Sequence, residues 1–331
     1  MGRYLLRKLG IYCVTFVAAV TVDWAIPHLM PGNPVLTLMG RIQIQDPQVA
    51  QHVYDNYMRS FNLDLPLWKQ YWYFWVSLFH GDLGSSILQF PSPVSSIIVH
   101  AVPYTLGLLL PAILLSWYVG NKIGALAARR KVLDNTLLPL GYVLTATPYM
   151  WLAILMCWVF AITLDVLPVG FAYSPTAGRG WSFAFALDLL RHWILPFLSL
   201  FLVACGGWAI GMRNMIIFEL ESDYAHYLEA LGAPRRLVRK YAFRNAMLPQ
   251  ITGLALQLGA VIAGSLVTEI VFSYPGLGYQ IYRAITNEDY FVIQGIFLFI
   301  ILGVLIANFI VDVVYVLVDP RTRIGMEGGQ A

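Results

Sequence analysis

The chain has 331 residues, of which 59% are hydrophobic and only 12% are charged. A soluble domain has about a quarter of its residues charged, so this composition excludes an ordinary soluble protein and predicts a polytopic membrane protein. The net charge of +3 is small and gives no indication of nucleic-acid binding.

Six apolar runs are long enough to cross a bilayer. A spanning segment must satisfy its own backbone hydrogen bonds, because the hydrocarbon layer offers no partners, so each run is predicted to be a helix. The predicted fold class is therefore all-α, with six transmembrane helices. They cover residues 9–30, 101–127, 133–164, 192–218, 248–272 and 291–318.

The basic residues are distributed unevenly across the predicted membrane. Fifteen of the 21 lysines and arginines fall at the N-terminus, in the second–third and fourth–fifth connections and in the C-terminal tail. The other six fall on the opposite side. Because cytoplasmic loops are enriched in lysine and arginine, this bias predicts that both termini lie in the cytoplasm.

The spans divide the chain into four predicted regions. An N-terminal tail with the first span occupies residues 1–30, and an extracytoplasmic segment with an interfacial helix occupies residues 31–100. A five-helix core covers residues 101–318 and includes a cytoplasmic loop at residues 219–247. A cytoplasmic tail covers residues 319–331.

The extracytoplasmic segment combines turn signals with a run of aromatic residues. Pro-Gly-Asn-Pro at 31–34 predicts a sharp end to the first helix, and Gly-Asp-Leu-Gly at 81–84 predicts a turn. The aromatic residues at 68–75 predict a helix in the headgroup layer, which favours rings with one apolar and one polar end. A platform for a carbohydrate or an aromatic ligand is the alternative interpretation.

Polar side chains within the predicted spans need partners, since such groups are unfavourable in hydrocarbon. We expect structural pairing, with a path for a coupled ion as the alternative. The residues concerned are Asp23, Glu269, Asn308 and Asp312. Close helix crossings are predicted at two pairs of glycines, namely Gly206 with Gly207 and Gly259 with Gly264.

Motifs of enzymes are missing from the sequence. There is no His-Glu-x-x-His and no Gly-x-Ser-x-Gly, and none of the five lysines follows a glycine as in a nucleotide-binding loop. We therefore predict no catalytic residue, no metal site and no cofactor bound directly by this chain. Any ATP-driven work would require separate subunits.

A charged island interrupts the apolar sequence between the fourth and fifth predicted spans. Glu221, Ser222 and Asp223 predict the start of a short helix that runs to Leu231. A Gly-Ala-Pro break ends it, and a second short amphipathic helix is predicted from Arg235. The first helix suits a groove on a soluble partner, and a linker resting on lipid headgroups is the alternative. The candidate interaction site comprises Tyr224, Tyr227, Leu228, Glu229, Ala230, Leu231, Gly232, Ala233 and Pro234.

An ordered set of short motifs resembles one family of transport proteins. The set comprises Met-Pro-Gly-Asn-Pro (30–34), Leu-Asp-Leu-Pro (63–66), Gly-Asp-Leu-Gly (81–84), Asp-Tyr (223–224), Arg-Asn-Ala-Met-Leu-Pro (244–249), Phe-Ser-Tyr-Pro-Gly-Leu-Gly (272–278) and Asp-Pro-Arg (319–321). It is similar to the B-type permease of binding-protein-dependent ABC importers, in the oligopeptide, dipeptide and nickel subfamily. The chain departs from the family motif at 226–228, where His-Tyr-Leu replaces Glu-Ala-Ala.

The resemblance implies a type I importer permease in the cytoplasmic (inner) membrane of a bacterium or archaeon. The implied partners are a second homologous permease, two ATPases that bind ATP and magnesium, and an extracytoplasmic binding protein. The short helix of the island would be the element that couples the ATPases to the spans. An external loop or gate is also implied, formed by Tyr274, Pro275, Gly276, Leu277 and Gly278.

The resulting hypothesis is import of an oligopeptide- or oligosaccharide-sized solute, with metal chelates also handled by this subfamily. A secondary transporter or channel is the alternative. Such proteins show inverted repeats or broken helices around a site at mid-membrane, and the sequence contains no convincing pair. An intramembrane enzyme is a third class, for which no nucleophile and base can be nominated.

Overall fold

The computed structural model describes residues 2–40, 46–176, 180, 182–259 and 266–318. Within these ranges the chain is mostly helical, and a β-bridge between Ser85 and Pro93 is isolated. The predicted all-α fold is confirmed. The helices are α1 (Gly2–Leu29), α2 (Pro34–Met39), α3 (Pro47–Ser60), α4 (Leu67–Phe79), α5 (Val94–Ala127), α6 (Lys131–Ala146), α7 (Tyr149–Met156), α8 (Phe183–Leu220), α9 (Asp223–Ala230), α10 (Arg235–Gly259), α11 (Leu266–Val271), α12 (Leu277–Thr286) and α13 (Tyr290–Val318), with a π-helical segment at Cys157–Thr163.

Four helices in the described ranges are long and apolar enough to cross a membrane. They are Arg7–Leu29 within α1, the whole of α5, the whole of α8, and Tyr290–Phe309 within α13. Helices α5 and α8 begin earlier than the predicted spans. The fifth predicted span includes residues 260–265, which lie outside the described residues, so the total of six spans stays a prediction.

The third predicted span is broken instead of continuous. Helix α6 ends at Ala146, α7 begins at Tyr149, and the direction of the chain changes by 101°. Proline has no backbone N–H and disfavours a helical conformation in the preceding residue. Thr147 precedes Pro148 and is extended accordingly, with ψ 122°. The expectation of unbroken spans is therefore wrong here, and the bent pair is a fifth candidate span.

Helix α10 differs from the prediction in a second way. It runs without interruption from Arg235 to Gly259 and contains Pro249. The predicted short second helix of the island is therefore not separate, because it continues into the fifth predicted span. A proline inside a helix removes one hydrogen bond, and packing of α10 along α8 offsets this loss.

The chain forms two compact units. One comprises Met1–Pro103 and Gly276–Ala331, and the other comprises Tyr104–Pro275. In the first unit, α1 packs along α13, with an edge-on contact between the rings of Tyr12 and Phe309.

The predicted aromatic helix is confirmed as α4, which packs lengthwise against α1. Side-chain contacts join the two helices, and they pair Gln70 with His28, Tyr71 with both Thr21 and Trp24, and Trp75 with Phe16. Residue numbers rise along α4 as they fall along α1, so the helices are antiparallel. Trp68 and Trp72 are exposed. Placement of α4 in the headgroup layer stays a prediction.

A buried carboxylate fixes the segment between α4 and α5 to the start of α13. Asp289 is 1% exposed and accepts hydrogen bonds from the Ser86 hydroxyl and from the backbone N–H of Leu88, the latter at 3.0 Å. It also accepts from the N–H of Ile87 at 3.1 Å and from that of Val292 at 3.4 Å, which caps the first turn of α13. One side chain therefore satisfies donors on two separate segments.

Helix α8 is central to the second unit and packs against α6, α7 and α10. Of the predicted pair Gly206 and Gly207, Gly206 lies at a close crossing, because a Cβ there would lie 2.9 Å from the carbonyl oxygen of Gly141 on α6. Among the described residues, a Cβ on Gly207 would meet nothing closer than the Thr145 hydroxyl at 4.0 Å. Helix α5 also crosses α8 closely, and a Cβ on Gly120 would lie 2.7 Å from the carbonyl oxygen of Cys205. The crossing predicted around Gly259 and Gly264 involves residues outside the described ranges.

The predicted pairing of polar residues in the spans is not found for Asp23. This residue is 3% exposed, and neither carboxylate oxygen has a hydrogen-bond partner among the described residues. Glu269 is fully buried, and Asn308 is exposed on α13. The side chain of Asp312 lies outside the described residues.

We predict that Asp289→Asn destabilises the protein, because an amide has one acceptor oxygen in place of two and leaves buried donors unpaired. The expected loss is about 2 kcal/mol, measured as a lower midpoint of thermal unfolding in detergent. Asp46→Asn is the matched control, since Asp46 caps α3 at an exposed position and accepts from the N–H of Gln48. Equal shifts for the two variants would contradict the stabilising role of Asp289.

Candidate functional site

The charged island follows the end of α8 and forms two helices, which a tight break separates. Helix α9 covers Asp223–Ala230, and α10 begins at Arg235, so the predicted limits of the first helix are confirmed. Gly232 has φ +74°, the left-handed conformation that commonly ends a helix. The N–H of Ala233 donates to the carbonyl oxygen of Leu228 at 3.0 Å and closes the last turn.

The start of α9 is at the predicted position, but its hydrogen bond differs from the prediction. Ser222 is the N-cap residue and has an extended backbone. Its hydroxyl donates to the carbonyl oxygen of Glu219 at 2.6 Å instead of accepting from the first turn of α9. The serine therefore ties α9 back to the last turn of α8.

Glu219 joins the end of α8 to the start of α9 and to the middle of α10 through one oxygen atom. Its Oε2 accepts hydrogen bonds from the Tyr224 hydroxyl on α9 at 2.8 Å and from Asn245 Nδ2 on α10 at 3.1 Å. Burial, followed by the hydrogen bond to Glu219, raises the pKa of Tyr224. The phenol therefore keeps its proton at neutral pH and acts as a donor. Neither Glu219 nor Asn245 belongs to the predicted site.

An ion pair joins α8 to α6 near the same end of the unit. Arg213 donates from Nε and Nη2 to the two carboxylate oxygens of Asp134, at 2.9 and 2.7 Å. Both side chains are partly exposed, so the pair contributes little to stability. Its bidentate geometry nevertheless fixes how the two helices are rotated with respect to each other.

Helix α9 presents two exposed apolar side chains on one face. Tyr227 is 65% exposed and Leu231, directly after the helix, is 66% exposed, and a spacing of four residues places them on the same side. Ala225 is completely buried, and Tyr224 and Leu228 are half-buried. The other predicted site residues are exposed except for half-buried Ala233; they are Glu229, Ala230, Gly232 and Pro234.

The predicted external loop is a buried turn after α11. The N–H of Tyr274 donates to the carbonyl oxygen of Glu269 at 2.8 Å, and its ring meets that of Tyr104 edge-on, with centroids 5.8 Å apart. Burial raises the pKa of Tyr274. Of the five predicted residues, Pro275 is partly exposed and the others are buried. The turn thus offers little surface to a ligand.

We predict that Glu219→Ala loosens α9, because the Tyr224 hydroxyl and the Asn245 amide both lose their acceptor. Hydrogen exchange of the α9 amides should accelerate about tenfold, as expected for the loss of a charge-assisted hydrogen bond. Glu221→Ala is the control, since it removes the same charge from an exposed side chain that has no hydrogen bond or ion pair among the described residues. Similar exchange rates in the two variants would contradict the role given to Glu219.

Comparison with known proteins agrees with this architecture. The family model described as "Binding-protein-dependent transport system inner membrane component" matches residues 120–324. The dipeptide transport system permease protein DppB of Escherichia coli (strain K12) is 31% identical over 343 residues, covering 98% of this chain and 99% of the relative.

Two other relatives match along nearly their whole length. The di/tripeptide transport system permease protein DppB of Pseudomonas aeruginosa is 31% identical, with 98% of this chain and 99% of the relative covered. The oligopeptide transport system permease protein AppB of Bacillus subtilis is 29% identical, with 97% and 99% covered. The chain therefore belongs to the inner membrane components of binding-protein-dependent transport systems and is a multi-pass permease of the peptide subfamily of ABC importers.

Proposed function

We propose that this chain forms half of the translocation pathway of an ATP-driven peptide importer. An extracytoplasmic binding protein delivers the peptide, a homologous permease completes the pathway, and two ATPases hold ATP and magnesium. This chain binds no cofactor itself. The relatives named above transport dipeptides, tripeptides or oligopeptides, which supports a peptide as the solute. Those relatives give no support to the oligosaccharide alternative.

The observation that carries this proposal is the structure of α9. An exposed apolar pair, Tyr227 and Leu231, lies on a short helix whose first turn is held by Glu219 against α8 and α10. Exposed apolar side chains on a short helix suit insertion into a groove of a partner. A helix fixed at its base also transmits displacement, whereas a flexible loop would absorb it.

The proposed coupling follows the contacts of the second unit. Closure of the ATPases on ATP displaces α9, and the hydrogen bonds of Glu219 transmit this displacement to α8 and α10. The ion pair between Arg213 and Asp134 transmits it to α6, which leads to the bend at Pro148. A ligand can shift a conformational equilibrium only through contacts that differ between the states, so the ATPases must hold α9 in both states.

The proposal includes six spans with both termini in the cytoplasm of a bacterium. The excess of basic residues at the termini and around α9 supports this orientation. The additional span would be the one predicted over residues 248–272. The buried turn at Tyr274 then lies on the extracytoplasmic side, where it acts as a scaffold for the pathway.

We predict that Leu231→Asp uncouples the importer, because a carboxylate cannot enter an apolar groove without losing its hydration. Stimulation of ATP hydrolysis by the peptide-loaded binding protein should fall about tenfold or more in the reconstituted complex, while membrane insertion stays normal. His226→Asp is the control, since it places the same charge at an exposed position of α9 outside the apolar pair. Fully coupled transport by the Leu231 variant would contradict the proposal.

A further inference from the structure

An open cavity of about 540 Å³ lies at the bend between α6 and α7. This volume falls within the usual range for sites that bind small molecules. Its lining comes from α6, the bend, the start of α7, α8 and α10, and includes Thr145, Thr147, Tyr149, Gly207, Trp208 and Gln257. Among the described residues that line the cavity, none is a lysine, arginine, aspartate or glutamate.

The bend leaves backbone acceptors without partners beside this cavity. Among the described residues, no hydrogen bond reaches the carbonyl oxygens of Thr145, Ala146 and Thr147. The hydroxyls of Thr145 and Thr147 donate to carbonyl oxygens within α6, at 2.8 and 2.7 Å, and retain only acceptor capacity. Non-helical backbone at membrane depth is tolerated where it is buried in protein or lines a water-filled cavity. The open cavity therefore explains how the break is accommodated.

A side chain of α10 adds a further acceptor. The Oε1 atom of Gln257 is buried and has no hydrogen-bond partner in the described part of the chain. A buried polar atom without a partner is unfavourable. Because Gln257 lines the cavity, rotation of its amide would bring this oxygen to an N–H group held there. The Trp208 indole N–H and the Tyr149 hydroxyl likewise form no hydrogen bond with described residues, and both can donate.

The chemistry of the lining matches that of a peptide backbone. Each peptide unit presents one N–H donor and one carbonyl acceptor, and the cavity offers acceptors at the bend and at Gln257 together with donors at Trp208 and Tyr149. Because the lining carries no charge, neither acidic nor basic peptide side chains are excluded by repulsion.

We propose that this cavity is a peptide-backbone subsite on the translocation pathway, with Gln257 as its main side-chain acceptor. The inference rests on the proposed function of peptide import and adds the residues that contact the solute. Recognition through the backbone is independent of peptide sequence. The few hydrogen bonds available also allow rapid release, which conduction requires.

The first test is Gln257→Leu in the complete complex, reconstituted in vesicles with its binding protein. Uptake of radiolabelled trialanine should fall about tenfold, since one acceptor is lost, while stimulation of ATP hydrolysis by the loaded binding protein persists. Gln257→Glu keeps an acceptor and adds a charge, so it should restore trialanine uptake and favour trilysine over triglutamate. Thr252→Val is the control, because Thr252 lies on the same helix outside the cavity lining.

The second test detects contact directly and does not depend on the stability of the Gln257 variants. The photoreactive residue p-benzoylphenylalanine replaces Trp208 and should cross-link to tritiated trialanine during ATP turnover. The same replacement of Trp158, which is exposed and outside the cavity lining, should give no cross-link to the peptide.

Two results would overturn the subsite while leaving the importer intact. They are unchanged trialanine uptake in Gln257→Leu, and cross-linking at position 208 to the second permease in place of the peptide.

A different result would overturn the proposed function itself. In that case the wild-type complex would hydrolyse ATP with loaded binding protein and take up no trialanine.

Discussion

The need to satisfy backbone hydrogen bonds in hydrocarbon is the constraint on which the rest of the structure depends. Helices α1, α5, α8 and α13 meet it with long uninterrupted runs. The segment containing α6 and α7 does not, because the chain turns at Pro148 and leaves carbonyl groups beside an open cavity. The exception to the constraint thus coincides with the proposed peptide subsite.

Helix α8 links this cavity to the proposed contact with the ATPases. Gly207 lines the cavity, and Arg213 binds Asp134 on α6. Glu219 accepts a hydrogen bond from Tyr224 on α9. Twelve residues of helix separate Gly207 from Glu219, which corresponds to about 18 Å. At close crossings that contain glycine, the backbones of α5 and α6 pack directly against α8. Motion of α9 can therefore reach the cavity through a continuous set of packed and hydrogen-bonded residues.

The sequence predicts those elements whose signals are local. The ends of α9 follow from the Gly-Ala-Pro break, and α4 follows from its aromatic run. The bend at Pro148 could not be predicted, because a proline inside an apolar run does not by itself break a helix. Pro27, Pro139, Pro196 and Pro249 all lie within continuous helices. The role of Glu219 is equally hidden, since its partner Asn245 is distant in sequence and is brought close only by the packing of α10 on α8.

The central claim is that α9 and the helices of the second unit move as one body. The most direct test measures the distance between spin labels at His226 on α9 and Thr136 on α6, both exposed positions. The distance should be the same in the nucleotide-free complex and in the complex trapped with an ATP analogue, while the distance between His226 and a label on the partner permease changes. A change between α9 and α6 as large as that between the subunits would contradict rigid transmission.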